Sequence, residues 1–193
     1  MSESDLVAAL VPVTEALQGL GVRYYISGSV ASSAHGVARA SLDVDIVAEL
    51  DLLHIDRLAD LLESAYYVPR GQMRAAAAER RSFNLIHLRT MFKIDVFVSK
   101  RRPFDREAAG RARAQGLDDT PGAPLLLVAS AEDTVLAKLE WFRRGGETSE
   151  RQWWDIVGVL RVNPDVDAGY LHRWAAELGV ADLLDRALVQ TAE

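Results

Sequence analysis

Residues 27 to 47 read SGSVASSAHGVARASLDVDIV, and the end of this stretch constrains the fold more than any other part of the chain. Asp43-Val44-Asp45-Ile46 alternates acid and apolar residues, the period of a β-strand with one face in a core. On such a strand Asp43 and Asp45 share a face, while Val44 and Ile46 point to the other. Their Cα atoms then stand about 6–7 Å apart, from a rise of roughly 3.3 Å per residue. Two carboxylates at that separation reach a common pair of cations about 3.5–4 Å apart.

Asp95, in KIDVFV, repeats the pattern of an acid flanked by apolar residues inside a strand. If its strand lies beside the first, three carboxylates converge. Like charges at 4 Å repel by about 4 kcal/mol at an effective dielectric near 20. A hard divalent cation removes that repulsion, and carboxylate oxygens suit Mg2+, which also takes substrate phosphates as ligands. Upstream, an apolar strand, RYYIS, runs into Gly28-Ser29 and then the small-residue segment VASSAHG, a short helix. A strand that turns into a helix at Gly-Ser offers backbone N–H groups and a hydroxyl to an anion, and glycine lets the anion approach closely. The order is Gly-Ser, thirteen residues, then Asp-Val-Asp.

The 193 residues suffice for one core with a small second lobe. The chain has no cysteine, which excludes disulfides, thiolate metal sites and cysteine nucleophiles. A net charge of −6 argues against a protein that coats nucleic acid nonspecifically. The N-terminus, MSESDLVAAL, is acidic and lacks the form of a signal peptide, and apolar runs such as PLLLVAS are too short to span a bilayer. The expectation is a soluble, cytoplasmic protein with no membrane association.

Leu6, Val7, Leu10, Val11, Leu17 and Leu20 trace an N-terminal helix that Pro12 either kinks or begins. Leu53, Leu58, Leu61 and Leu62 mark a helix ending before Tyr66, and SFNLIHLRT with MFKIDVFVSK predicts a hairpin about Arg89-Thr90. From Lys100 to Arg113 six basic residues face only Asp105 and Glu107; this is read as a solvated segment or as an RNA-facing patch. DDTPGAP, at 118–124, is a loop. Ser130 and Asp133 form a capping box for a helix that ends at Gly145-Gly146. SERQWWDIVGVL starts another helix, and two more follow near 165–178 and 180–191. The expected class is α+β, a mixed sheet flanked by helices (1–124) with a C-terminal helical lobe (125–193).

Gly-Ser, the spacer, DVDI and the later IDV resemble the signature of the nucleotidyltransferase superfamily, which has the DNA polymerase beta-like fold. The likeness covers about residues 20 to 100, and Ser27 stands where an apolar residue usually precedes the glycine. The resemblance implies that Gly28 and Ser29 hold the triphosphate of an NTP such as ATP. It implies that Asp43 and Asp45 bind both metals, Mg2+ or Mn2+, and that Asp95 completes one metal site and helps activate the acceptor hydroxyl. The helical tail resembles that of the minimal, AbiEii-type toxin nucleotidyltransferases, which would place Lys138, Arg151 and Asp155 toward the nucleotide; WWDI stands here in place of RDI. The implied reaction moves NMP from an NTP to an acceptor hydroxyl: an RNA end such as that of tRNA, a protein, or a small molecule such as an aminoglycoside. RNA ranks first on the tail resemblance, and a cognate toxin or antitoxin is the implied partner. Lys138 would act as a point charge on phosphate.

Simpler readings stand beside these. A lone Asp-x-Asp on a strand is ordinarily an exposed polar face. His35 and His87 read as structural, and Trp141, Trp153, Trp154 and Trp174 as packing between tail helices. The rival function is a catalytically silent binding or regulatory module on the same fold.

Overall fold

The computed structural model describes residues 3–37, 43–116 and 124–191. Its centre is a mixed seven-stranded sheet, in the order β3-β4-β5-β2-β1-β7-β6. The strands are β1 (Tyr24–Ser27), β2 (Asp43–Ala48), β3 (Tyr66–Tyr67), β4 (Ser82–His87), β5 (Lys93–Val98), β6 (Arg113–Gly116) and β7 (Leu125–Val128). Helices α1 (Glu3–Gly19), α2 (Gly28–Ala34), α3 (Leu52–Leu62), α4 (Arg70–Glu79) and α5 (Pro103–Arg111) are interspersed with them. Then come α6 (Ala131–Arg144), α7 (Glu150–Val162), α8 (Ala168–Leu178) and α9 (Ala181–Thr191). Leu125–Val128 pairs with β1 inside the sheet, so the all-helical part starts at Ala131.

Strand alternation sorts the side chains between two cores. Val44, Ile46 and Ala48 of β2 and Ile94, Val96 and Val98 of β5 pack with Leu10 and Leu17 of α1, Leu58 and Leu62 of α3, and Met73 of α4. On the other side Tyr25 joins Phe104 of α5 and the apolar stripes of α6 to α9, among them Leu136, Ile156, Leu171 and Leu184. The carboxylates of β2 and β5 belong to this second side, because they alternate with the first core's residues.

Local signals hold where side chains decide the backbone. Ser130 accepts from the Asp133 amide and caps α6, and Asp167 caps α8 in the same manner. Pro12 lies inside α1, so the helix runs through it. The predicted hairpin is β4–β5, paired antiparallel from Ser82–Phe97 to Ile86–Lys93. The Lys100–Arg113 segment is half solvated: Lys100, Arg106 and Arg113 are exposed, whereas Arg101 pairs with Asp51, Arg102 with Asp105 and Glu140, and Arg111 with Glu132. Residues 118–123 of the expected loop lie outside the described residues.

A carboxylate face beside a glycine turn

β2 and β5 run parallel and in register, so Asp45 stands opposite Asp95 and Asp43 opposite Lys93. β1 flanks β2 antiparallel, with Ser27 opposite Asp45. Asp43, Asp45 and Asp95 therefore share one face of adjacent strands, as the alternation requires. The chain turns immediately after Ser27: Gly28 has φ +64° and opens α2. A Cβ on Gly28 would lie 1.7 Å from Asp45 Oδ2 and 2.7 Å from its Cγ, so only glycine lets the turn lie against this carboxylate. Ser29 is buried in the first turn of α2. Ser32 and Ser33 donate back to the carbonyls of Gly28 and Ser29 (3.1 Å each), which ties that turn down.

The cluster disturbs its own ionisation. Burial first, and then the charges of Asp43 and Asp95, raise the Asp45 pKa to about 6, against the opposing charges of Lys138 and Lys93. Lys93 Nζ lies 2.7 Å from Asp95 Oδ2 and 3.9 Å from Asp43 Oδ2. Asn84, opposite Asp95 on β4, donates its amide to Asp95 Oδ1 at 2.7 Å when its nitrogen is turned inward. Among the described residues no three His, Cys, Asp or Glu side chains are gathered as a ready-made metal nest.

Lys138 is buried on α6 and donates to Asp155 Oδ2 of α7 at 2.8 Å. Its charge reaches Asp45, but its ammonium is engaged with the helical core. Asp155 is buried with it, whereas Arg151, in the first turn of α7, is exposed. Of the four tryptophans, Trp153 and Trp174 are packed as expected; Trp141 and Trp154 are 48% and 59% exposed. Trp141 meets Phe97 edge-on at 5.7 Å instead. His35 and His87 have partners within the fold, as a structural role requires: His35 Nε2 lies 2.7 Å from Ala129 O, and His87 Nδ1 lies 2.8 Å from Thr90 Oγ1.

Sequence reasoning missed Lys93 and Asn84. Lys93 was findable, because two residues before Asp95 on a strand is the same face. Asn84 was not, because cross-strand register decides it.

No family model and no curated protein sequence matches the chain. Solved structures do match it, by shape. An antigenic nucleotidyltransferase-like protein from Paracoccidioides brasiliensis superposes with a TM-score of 0.58 at 18% identity, over 97% of this chain and 94% of that one. The antibiotic-resistance factor ANT(2'')-Ia in solution gives a TM-score of 0.57 at 12% identity, over 98% of this chain and all of that one. ANT(2'')-Ia in complex with adenylyl-2''-tobramycin gives 0.55 at 12% identity, over 90% and 96%. Sheet and helices together define the nucleotidyltransferase fold. The chain carries that fold over nearly its whole length, with three aspartates on the face that the glycine turn borders.

Proposed function

We propose that this protein transfers a nucleoside monophosphate from an NTP to an acceptor hydroxyl with the help of a divalent cation. The observation that carries the reading is the in-register pair Asp45–Asp95, with Asp43 on the same face and the Gly28 turn pressed against Asp45. These residues fit a hard cation in their chemistry: oxygen donors only, mutually repelling, and one of them pushed up by burial. Asp43 and Asp45 would hold Mg2+ or Mn2+, with Asp95 as a further ligand. When bound, the metal would lower the acceptor hydroxyl's pKa and offset charge on the α-phosphate and leaving pyrophosphate.

The chain's own groups do the rest. Gly28 and Ser29 present the first turn of α2 to the triphosphate. Asp95 receives the proton of the acceptor hydroxyl as its oxygen bonds to the α-phosphorus and the bond to pyrophosphate breaks. Lys138, fixed by Asp155, lends positive potential to the Asp45 side of the site.

A small hydroxylated molecule is the acceptor we favour. Arg101, Arg102 and Arg111 are committed to internal carboxylates, which leaves half of the basic residues between Lys100 and Arg113 to face an RNA backbone. A matching structure, that of ANT(2'')-Ia, holds adenylyl-2''-tobramycin. An RNA or protein acceptor, and pairing with a toxin or antitoxin, rest on the tail resemblance alone.

The test is transfer of α-labelled NTPs, each base separately, with Mg2+ and either a cell extract or a panel of aminoglycosides. Label that requires intact aspartates, absent with Asp43→Ala/Asp45→Ala, supports the enzyme. RNase resistance, protease resistance and a low-mass product support the small acceptor. Nucleotide binding with no aspartate-dependent transfer would instead support the silent regulatory module.

A further inference from the structure

We infer that Lys93 is a resident cation of the carboxylate face, so that a divalent metal loads by exchange with its ammonium rather than into open space. The inference rests on the metal-dependent reading above and adds a residue to it. Three observations carry it. Lys93 stands opposite Asp43 in the β2–β5 register and two residues before Asp95, so it projects from the same face as both. Its Nζ is 2.7 Å from Asp95 Oδ2 and 3.9 Å from Asp43 Oδ2, which places a single positive charge between an acid of each strand. No three acidic or histidine side chains among the described residues form a metal nest, and these two acids lean on the ammonium.

The chemistry follows from charge and reach. Three carboxylates on two adjacent strands repel one another, and one ammonium offsets part of that repulsion while the protein is free of metal. A lysine suits this task because its ammonium sits on a flexible four-carbon stem and can leave without moving the backbone. The Lys93 side chain is 41% exposed, so a route to solvent is open. A divalent ion brings twice the charge and accepts several oxygens at once, so it displaces the ammonium from Asp95 and Asp43. The apparent affinity for metal is then the intrinsic affinity reduced by the strength of the lysine contacts.

Mn2+ is titrated by calorimetry into the nucleotide-free full chain as wild type, Lys93→Met and Asp43→Asn/Asp45→Asn. In parallel, the 15N-lysine ammonium signal of wild-type Lys93 is followed during Mg2+ addition. Exchange predicts that Lys93→Met binds Mn2+ about two- to fivefold more tightly than wild type, the range a partly exposed ion pair supplies. It also predicts that the Lys93 signal moves and broadens as Mg2+ saturates the site. Unchanged or weaker Mn2+ binding by a folded Lys93→Met overturns the inference, as does an unmoved Lys93 signal at Mg2+ saturation. Either result leaves the transfer reading standing. If Lys93→Met does not fold, Lys93→Gln replaces it, and the wild-type ammonium signal decides independently. Binding of Mn2+ by none of the three proteins removes the metal reading and this inference together.

Discussion

Asp45→Asn should stabilise the metal-free protein at neutral pH while abolishing transfer. The carboxyl of Asp45 is raised from 3.8 to about 6, chiefly by burial and then by the charges of Asp43 and Asp95. Between about pH 4 and pH 6 the folded chain therefore holds a proton that the unfolded chain has released. The contribution of Asp45 to stability is fully present below about pH 4 and is lost as pH rises through about 6. A shift of roughly two units corresponds to about 3 kcal/mol at most, at 1.36 kcal/mol per unit. Replacement by neutral Asn removes that loss, and with imperfect hydrogen bonding of the amide a gain of about 1–2 kcal/mol is expected at pH 7.5. For a chain of this length that is a rise of about 2–8 °C in melting temperature. The assay is urea unfolding of wild type and Asp45→Asn in chelator at pH 4 and pH 7.5, with the slope of each transition checked for constancy. Because the cost of the amide does not depend on pH, Asp45→Asn should be about 1–2 kcal/mol less stable than wild type at pH 4, and the difference should swing by about 3 kcal/mol in its favour by pH 7.5. A variant that is less stable than wild type at pH 7.5, or a gap independent of pH, would refute the reasoning.

Gly28→Ala should act in the opposite direction. A Cβ there would lie 1.7 Å from Asp45 Oδ2 at a backbone φ of +64°, so Asp45 must swing away; a loss of about 1–2 kcal/mol in urea unfolding and of transfer is expected. Lys138→Met leaves Asp155 charged and buried, and thermal unfolding should report a loss of about 3–5 kcal/mol. The double variant Lys138→Met/Asp155→Leu should recover most of that loss, the signature of a buried pair in a double-mutant cycle. Arg102→Met, which severs contacts to Asp105 and Glu140, should lower stability by about 1–3 kcal/mol and speed proteolysis near α5.

The parts of the fold legible in the sequence are those governed by spacing along one segment. The alternation in LDVDIV placed Asp43 and Asp45 on one face, and the Ser130–Asp133 cap and the Gly145 stop framed α6. The parallel register that sets Asp45 against Asp95 was not legible, and the adjacency of the two strands stood only as a condition, because nothing local tells one strand which neighbour it will have. α4 was missed: RGQMRAAAAE has little apolar periodicity, and its alanines form a helix that buries only Met73, Ala76 and Ala77. β7 was cut from the sheet because PLLLV follows a Pro-Gly loop and precedes helices, although β1 leaves its other edge open to it. The basic run from Lys100 to Arg113 looked like a surface feature throughout because its carboxylate partners, Asp51, Glu132 and Glu140, lie far away in sequence.

Charge on the site is balanced from two directions, and the two balances differ in kind. Lys93 comes from the sheet itself and is partly exposed, so its contact with Asp95 can be broken at small cost. Lys138 comes from the helical half and is buried against Asp155, so its contact can be broken only at large cost. The first cation can therefore be exchanged while the second stays fixed, and both lower the pKa of Asp45. α6 packs on α2 as well as on α7, so the helix that carries Lys138 also braces the Gly28 turn. A substitution that removes this fixed positive charge without touching the sheet should thus raise the Asp45 pKa further. Lys138→Met is that substitution: it takes away the ammonium and leaves the carboxylate face intact. A 13C-carboxyl titration of Asp45 should move upward in a folded Lys138→Met; a downward or absent shift would show that the charge of Lys138 does not reach Asp45.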